Sequence, residues 1–99
     1  MGQKIEISSS VTIGDVAIFD TDRTLGGQDG ERFRSVDEAE AGTTYPAAVA
    51  KALLTADDGV KSVYINSNVV SVERAGGWDD TALDQAGTLI RDFFSFYDE

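Results

Sequence analysis

Cysteine and histidine are both missing from this 99-residue chain, and proline occurs once, at Pro46. Without Cys there is no disulfide, no thiolate metal site, no ordinary iron–sulfur ligation and no sulfur nucleophile. Without His, the commonest general base and the commonest imidazole ligand are missing too. Carboxylates, three Lys, five Arg, three Tyr and hydroxyls remain, a sparse set for catalysis. The expectation is a protein that is not an enzyme, with no catalytic or metal-binding residue and no cofactor of its own.

Positive charge is scarce as well. Eight Lys and Arg stand against 18 Asp and Glu, a net charge of −10. Phosphate backbones and anionic lipid both call for clustered Lys and Arg, so neither nucleic acid nor a membrane surface is an expected partner. A cationic protein surface suits the charge better, and acidity of this degree also keeps a small protein soluble. Twelve Asp against three Lys fits a high-salt cytoplasm. The opening Met-Gly-Gln-Lys-Ile-Glu-Ile lacks the apolar core of a signal peptide, and no segment is long enough to span a bilayer. A cytoplasmic location is expected.

At this length residues 1–99 make one domain, able to bury about 60–65% of its unfolded surface, enough for a two-layer core. Lys4 to Ser8 alternates polar and apolar, with Ile5 and Ile7 on one side, and the alternation continues toward Val11 and Ile13. Gly14-Asp15 reads as a turn into a second apolar run, Val16 to Phe19. The Gly-rich stretch Thr21 to Glu31 reads as a loop, with room for a short irregular strand at Arg32 to Ser35. Ser35-Val-Asp-Glu38 is a capping box opening a short helix that Gly42 ends. Pro46 suits the first turn of a second helix whose face is Val49, Ala50, Leu53 and Leu54, with Gly59 suited to the left-handed position beyond its end. Val60, Val63 and Ile65, then Val69, Val70 and Val72, flank Asn66-Ser67-Asn68 as a hairpin.

The last segment follows Gly76-Gly77-Trp78, with Asp79 or Asp80 as cap. At about 100° per residue, Leu83, Ala86, Ile90, Phe93, Phe94 and Tyr97 fall within roughly 100° of one another, opposite Asp84, Thr88, Arg91, Asp92 and Ser95. Leu89 and Phe96 stand at the margin of this stripe, two turns apart. Either they cover the sheet edge or, with Trp78, they form an apolar docking rim. Trp78, Leu89 and Phe96 are therefore the candidate partner-binding residues. Two hairpins and two main helices imply an α+β two-layer sandwich: a four-stranded antiparallel sheet with the helices on one face.

Gly59-Val-Lys-Ser-Val63, the Val69–Val72 strand and Trp78 at the head of the last helix resemble, in this order, the N-terminal domain of the NifU-like (Nfu) iron–sulfur scaffold family. Arg23-Thr-Leu25, Phe33-Arg-Ser-Val-Asp-Glu-Ala39 and Tyr45-Pro-Ala-Ala48 resemble that family's upstream stretches, with Tyr45 where an N-cap Ser is usual and Thr43 or Thr44 as substitutes. The resemblance implies the same α+β sandwich and a role in cluster assembly or delivery. In the family, a separate Cys-x-x-Cys domain holds the cluster. This chain resembles the companion module, expected to contact a scaffold, carrier or client protein as a monomer or weak homodimer.

Two other readings stay open. Ile18-Phe-Asp20-Thr-Asp22-Arg-Thr-Leu25 resembles the first motif of haloacid-dehalogenase phosphatases, in which two carboxylates and Mg²⁺ transfer phosphate. That fold is a parallel sheet in a longer chain, and the ordinary role for Asp20 and Asp22 is at a strand end and turn. A small structural or regulatory protein unrelated to iron–sulfur metabolism is the other alternative. Asp57-Asp58-Gly59 lacks the spaced ligand array of a Ca²⁺ loop. The charge imbalance itself is testable: screening of self-repulsion should raise the melting temperature between low salt and 0.5 M NaCl, and a steady fall would show that attractive pairs dominate.

Overall fold

Two tight hairpins organise the sheet. The structure, a computed structural model, describes residues 6–22, 24–27 and 29–97, with side chains as far as Asp92. Strand β1 (Ile7–Ile13) passes through Gly14-Asp15 into β2 (Val16–Thr21). Gly14 sits at φ 60, the left-handed value that such two-residue loops require of their first residue. After β3 (Glu31–Phe33) come helices α1 (Val36–Ala41) and α2 (Tyr45–Ala56). Strand β4 (Val60–Asn66) turns through Ser67-Asn68 into β5 (Val69–Arg74), and α3 (Asp80–Tyr97) follows.

The strands lie in the order β1-β2-β5-β4-β3, all antiparallel. The α+β sandwich expected from the sequence is present, with five strands where four were expected. The added strand is β3, which pairs Glu31, Arg32 and Phe33 with Ile65, Tyr64 and Val63. It overlaps the short irregular strand for which the sequence left room at Arg32 to Ser35, and with three residues and a single buried side chain, Phe33, its bounds are not set by alternation. It forms because the outer edge of β4 supplies the hydrogen bonds. One face of the sheet carries Ala17, Phe19, Val63, Ile65, Val70 and Val72, all at most 2% exposed, beneath the helices. Each fully buried Val or Ile contributes about 1.5–3 kcal/mol.

A β-bulge changes the expected alternation of β1. Ile7 pairs with Thr21, whereas Ser9 already pairs with Asp20, so the register shifts between them. Side-chain parity reverses there. Ile7 packs against the core, while Val11 and Ile13 stand on the opposite, uncovered face at 52% and 67% exposure. Lys4 and Ile5 lie outside the described residues.

The helix ends follow their sequence signals, with one correction at Gly59. Ser35 accepts from the Glu38 N–H at 3.1 Å, and the Glu38 carboxylate reaches past it to the Arg34 N–H at 2.6 Å. Thr44, one of the two substitutes the sequence offered, caps α2: its hydroxyl accepts from the Ala47 N–H, and Tyr45 is the first helical residue. Asp79 caps α3 by accepting from the Ala82 N–H at 2.8 Å. Gly59 is not left-handed; among the described residues the glycines with positive φ are Gly14, Gly30, Gly76 and Gly77. A Cβ at Gly59 would stand 3.2 Å from Asp57 Oδ1, a tight contact that the missing side chain relieves.

The loop after β2 is clasped to the distal hairpin turn. Thr21 donates to the Asn68 carbonyl through both its N–H (2.9 Å) and its hydroxyl (2.8 Å), and the Asn68 amide donates back to the Thr21 carbonyl at 2.9 Å. Leu25 and Gly26 both donate to the Ser67 carbonyl. These bonds hold Ser67 at φ 52, a left-handed conformation uncommon for a residue that is not glycine. Beneath the helices, Leu53 of α2 is 2% exposed. Leu53→Ala should cost about 2–5 kcal/mol, read as a lowered midpoint in thermal or denaturant unfolding.

Candidate functional site

Arg74, the last residue of β5, gathers the end of the sheet where Trp78 stands. Its Nε donates to Asp57 Oδ2 at 2.8 Å, and its Nη1 donates to the Gly77 carbonyl at 2.8 Å. The guanidinium lies 5.9 Å from the Trp78 ring centroid, within cation–π range. Asp57, just past the end of α2, also accepts the Gly59 N–H at 2.8 Å. The Arg74 hydrogen bond, and after it the Gly59 N–H, holds the Asp57 carboxyl below its ordinary value near 3.8, against a smaller opposing effect of burial. Asp57 in turn raises the Arg74 guanidinium above its ordinary value.

Trp78 is fixed from three sides. Its indole N–H donates to the Asp15 carbonyl at 2.9 Å, its ring meets Phe19 edge to face with centroids 6.4 Å apart, and Arg74 covers its face. Gly76 and Gly77, at φ 85 and 83, make the turn that brings it there. One flank of Trp78 stays open to a narrow crevice of about 20 Å³ between α2 and α3, lined also by Leu53, Ala56, Val60, Ala86 and Leu89. Trp78 and Leu89 are both half-buried. The structure thus brings two of the three candidate residues to one crevice. Phe96 lies on α3 by its backbone, and its side chain is outside the described residues. Neither Asp57 nor Arg74 stands out in the sequence as a site residue. Seventeen positions separate them, and each reads locally as an ordinary turn or strand-end charge.

The paired carboxylates of the phosphatase-like motif have structural partners. Asp20 accepts from the Ser9 hydroxyl at 2.9 Å, and Asp22 accepts from the Glu6 N–H at 3.2 Å. Arg23 lies outside the described residues. Thr21 between them is buried against the Asn68 turn. Among the described residues no group of three or more Asp or Glu could hold a metal ion, and no helix is long and apolar enough to cross a membrane.

The fold is that of an α+β sandwich in which an antiparallel sheet is covered on one face. Protein SAV1430 from Staphylococcus aureus, known from a crystal structure, is similar to it with a TM-score of 0.62 over 88% of this chain and 98% of that one. Identity between the two is 19%, so the likeness concerns the fold alone. No family model and no curated protein matches the chain.

The Asp57–Arg74 pair makes stability depend on pH with a definite sign. A carboxyl depressed in the folded state stabilises fully above its unfolded pKa, near 3.9, and that stabilisation is lost as pH falls through the folded value. Asp57→Asn should therefore lower the melting temperature at pH 7. The gap from the parent protein should close below about pH 4. A gap that stays constant down to pH 2 would show that the pair does not contribute.

Proposed function

We propose that this chain is a non-enzymatic interaction module of the NifU-like N-terminal type, serving iron–sulfur cluster assembly or delivery from the cytoplasm. It contacts a scaffold, carrier or client protein and leaves cluster ligation to cysteines on that partner. The observation that carries the reading is the ordered set of motifs, Gly59–Val63, Val69–Val72 and Trp78, together with the places they take. They form the start of β4, the strand β5 and the turn into α3, and Val60 of the first motif and Trp78 line the crevice together with Leu89. A half-buried Trp beside aliphatic side chains is the composition of an interface anchor. The absence of Cys and His from the whole chain supports an accessory role over a ligating one.

The test uses a purified, cluster-loaded Cys-x-x-Cys scaffold domain from the same cell. Titrated into ¹⁵N-labelled protein, it should shift the Trp78 indole and Leu89 amide signals saturably. Leu89→Asp and Phe96→Asp should remove that binding and leave the fold intact. The chain incubated alone with iron and sulfide under anaerobic conditions should stay colourless. A coloured monomeric holo-form, or saturable binding unaffected by either substitution, would overturn the proposal.

A further inference from the structure

The strand at the free edge of the sheet carries no charge. In a chain that is 26% charged, Ile7-Ser-Ser-Ser-Val-Thr-Ile13 contains no Lys, Arg, Asp or Glu and no Pro. Those are the residues by which edge strands ordinarily resist pairing with another chain. The two exposed large hydrophobic side chains of the described residues, Val11 and Ile13, also stand on this strand. A two-residue turn makes Ile13 and Val16 exchange hydrogen bonds, and Val11 repeats the pattern with Ile18. The backbone groups of Ser10 and Thr12 consequently face outward, a row of donors and acceptors with no neighbouring strand among the described residues.

Beside this edge, on the helix-covered side, runs an open cleft of about 330 Å³. Ile7, Phe19 and Leu83 supply its apolar surface, Ser10 its strand side, and α3 two carboxylates, Asp80 and Asp84, with the cation Arg91 two helical turns beyond Asp84. Helix α3 passes close to β1, since a Cβ on Gly87 would come within 3.5 Å of Ile7 Cδ1. Asp80 and Asp84 lie one helical turn apart, about 5–6 Å between Cβ atoms. Alternate side chains of an added strand would be spaced about 6.6–6.8 Å, close enough for two successive inward side chains to meet the two carboxylates.

We propose that β1 and this cleft bind an extended segment of a partner protein by strand addition, the segment alternating cationic and apolar side chains. Its main chain pairs with Ser10 and Thr12 and extends the sheet to six strands. Its Lys or Arg side chains enter the cleft, with their stems on Phe19 and Leu83 and their charges at Asp80 and Asp84. Its apolar side chains lie on the opposite face beside Val11 and Ile13. Charge selects this occupant over a second copy of the chain. A second β1 would bring hydroxyls and no cation to the carboxylates, and another molecule of net charge −10 would repel this one. The surface lies on the flank of α3 away from the Trp78–Leu89 crevice, and the proposal stands independently of any iron–sulfur role.

The probe is a capped heptapeptide alternating lysine and valine, titrated into the ¹⁵N-labelled full chain at low salt. Controls are the glutamate–valine counterpart and a block-sequence isomer of the lysine peptide. The alternating cationic peptide should shift the Ser10, Thr12, Leu83 and Asp84 amides and slow hydrogen exchange at Ser10 and Thr12; neither control should do so. Asp80→Asn and Asp84→Asn should each weaken binding by about two- to fivefold. Thr12→Pro removes an outward N–H that β2 does not use, and should abolish binding. Should that variant fail to fold, N-methylation of alternate peptide amides, which blocks the same ladder, replaces it. The proposal is overturned by equal binding of the glutamate peptide, by shifts confined to other surfaces, or by no binding at millimolar peptide. It is also overturned if Ser10 and Thr12 are already protected without peptide in a species of twice 10.6 kDa, since a second copy then fills the edge.

Discussion

One guanidinium ties three parts of this fold together. Arg74 closes β5, donates to Asp57 at the end of α2 and to the Gly77 carbonyl, and covers Trp78. Both side chains of the pair are about a quarter exposed, so water screens the charge and the pair's main effect is geometric. Two oxygens of one carboxylate and two nitrogens of one guanidinium fix where α2 stops, how the Gly76-Gly77 turn runs and where α3 begins. The crevice between Trp78 and Leu89 exists because those three positions are set relative to one another.

Much of the architecture is legible in the sequence for a simple reason: its hydrophobic periods are clean. Val63, Ile65, Val70 and Val72 alternate over one face, and the stripe of α3 brings Leu83, Ala86 and Ile90 inward. Features that depend on the neighbouring chain rather than on local pattern are hidden. The bounds and pairing of β3, for which the sequence left room only at Arg32 to Ser35, are set by the edge of β4. The bulge in β1 reverses a parity that three consecutive serines cannot signal. Gly59 looks like a left-handed helix stop, yet its φ is not positive and its missing side chain instead eases the close approach of Asp57. At the candidate site, Trp78 and Leu89 are legible as a break residue and a stripe margin. Their convergence is not, because it depends on an ion pair between residues unremarkable in their own segments.

The distribution of charge divides the molecular surface into regions of different use. A net charge of −10 leaves β1 untouched, and it places Asp80 and Asp84 along the cleft beside that strand. On the other flank of α3 the lining is mostly aliphatic, with Trp78 at its end. One helix therefore presents two chemically distinct sides, one suited to a cationic extended chain and one to an apolar anchor.

The clasp between Thr21 and Asn68 has a consequence for how the chain assembles. Each hairpin closes over a turn of two residues and can form early and locally. The central pairing of β2 with β5 joins strands whose partners lie about fifty positions apart, as do the bonds from Thr21 to Asn68. Loop closure over that distance must precede any gain from those contacts. The costliest closure is thus the pairing of the two hairpins, and the bonds of the buried Thr21 hydroxyl and N–H to Asn68 are made only in the native register of β2 against β5.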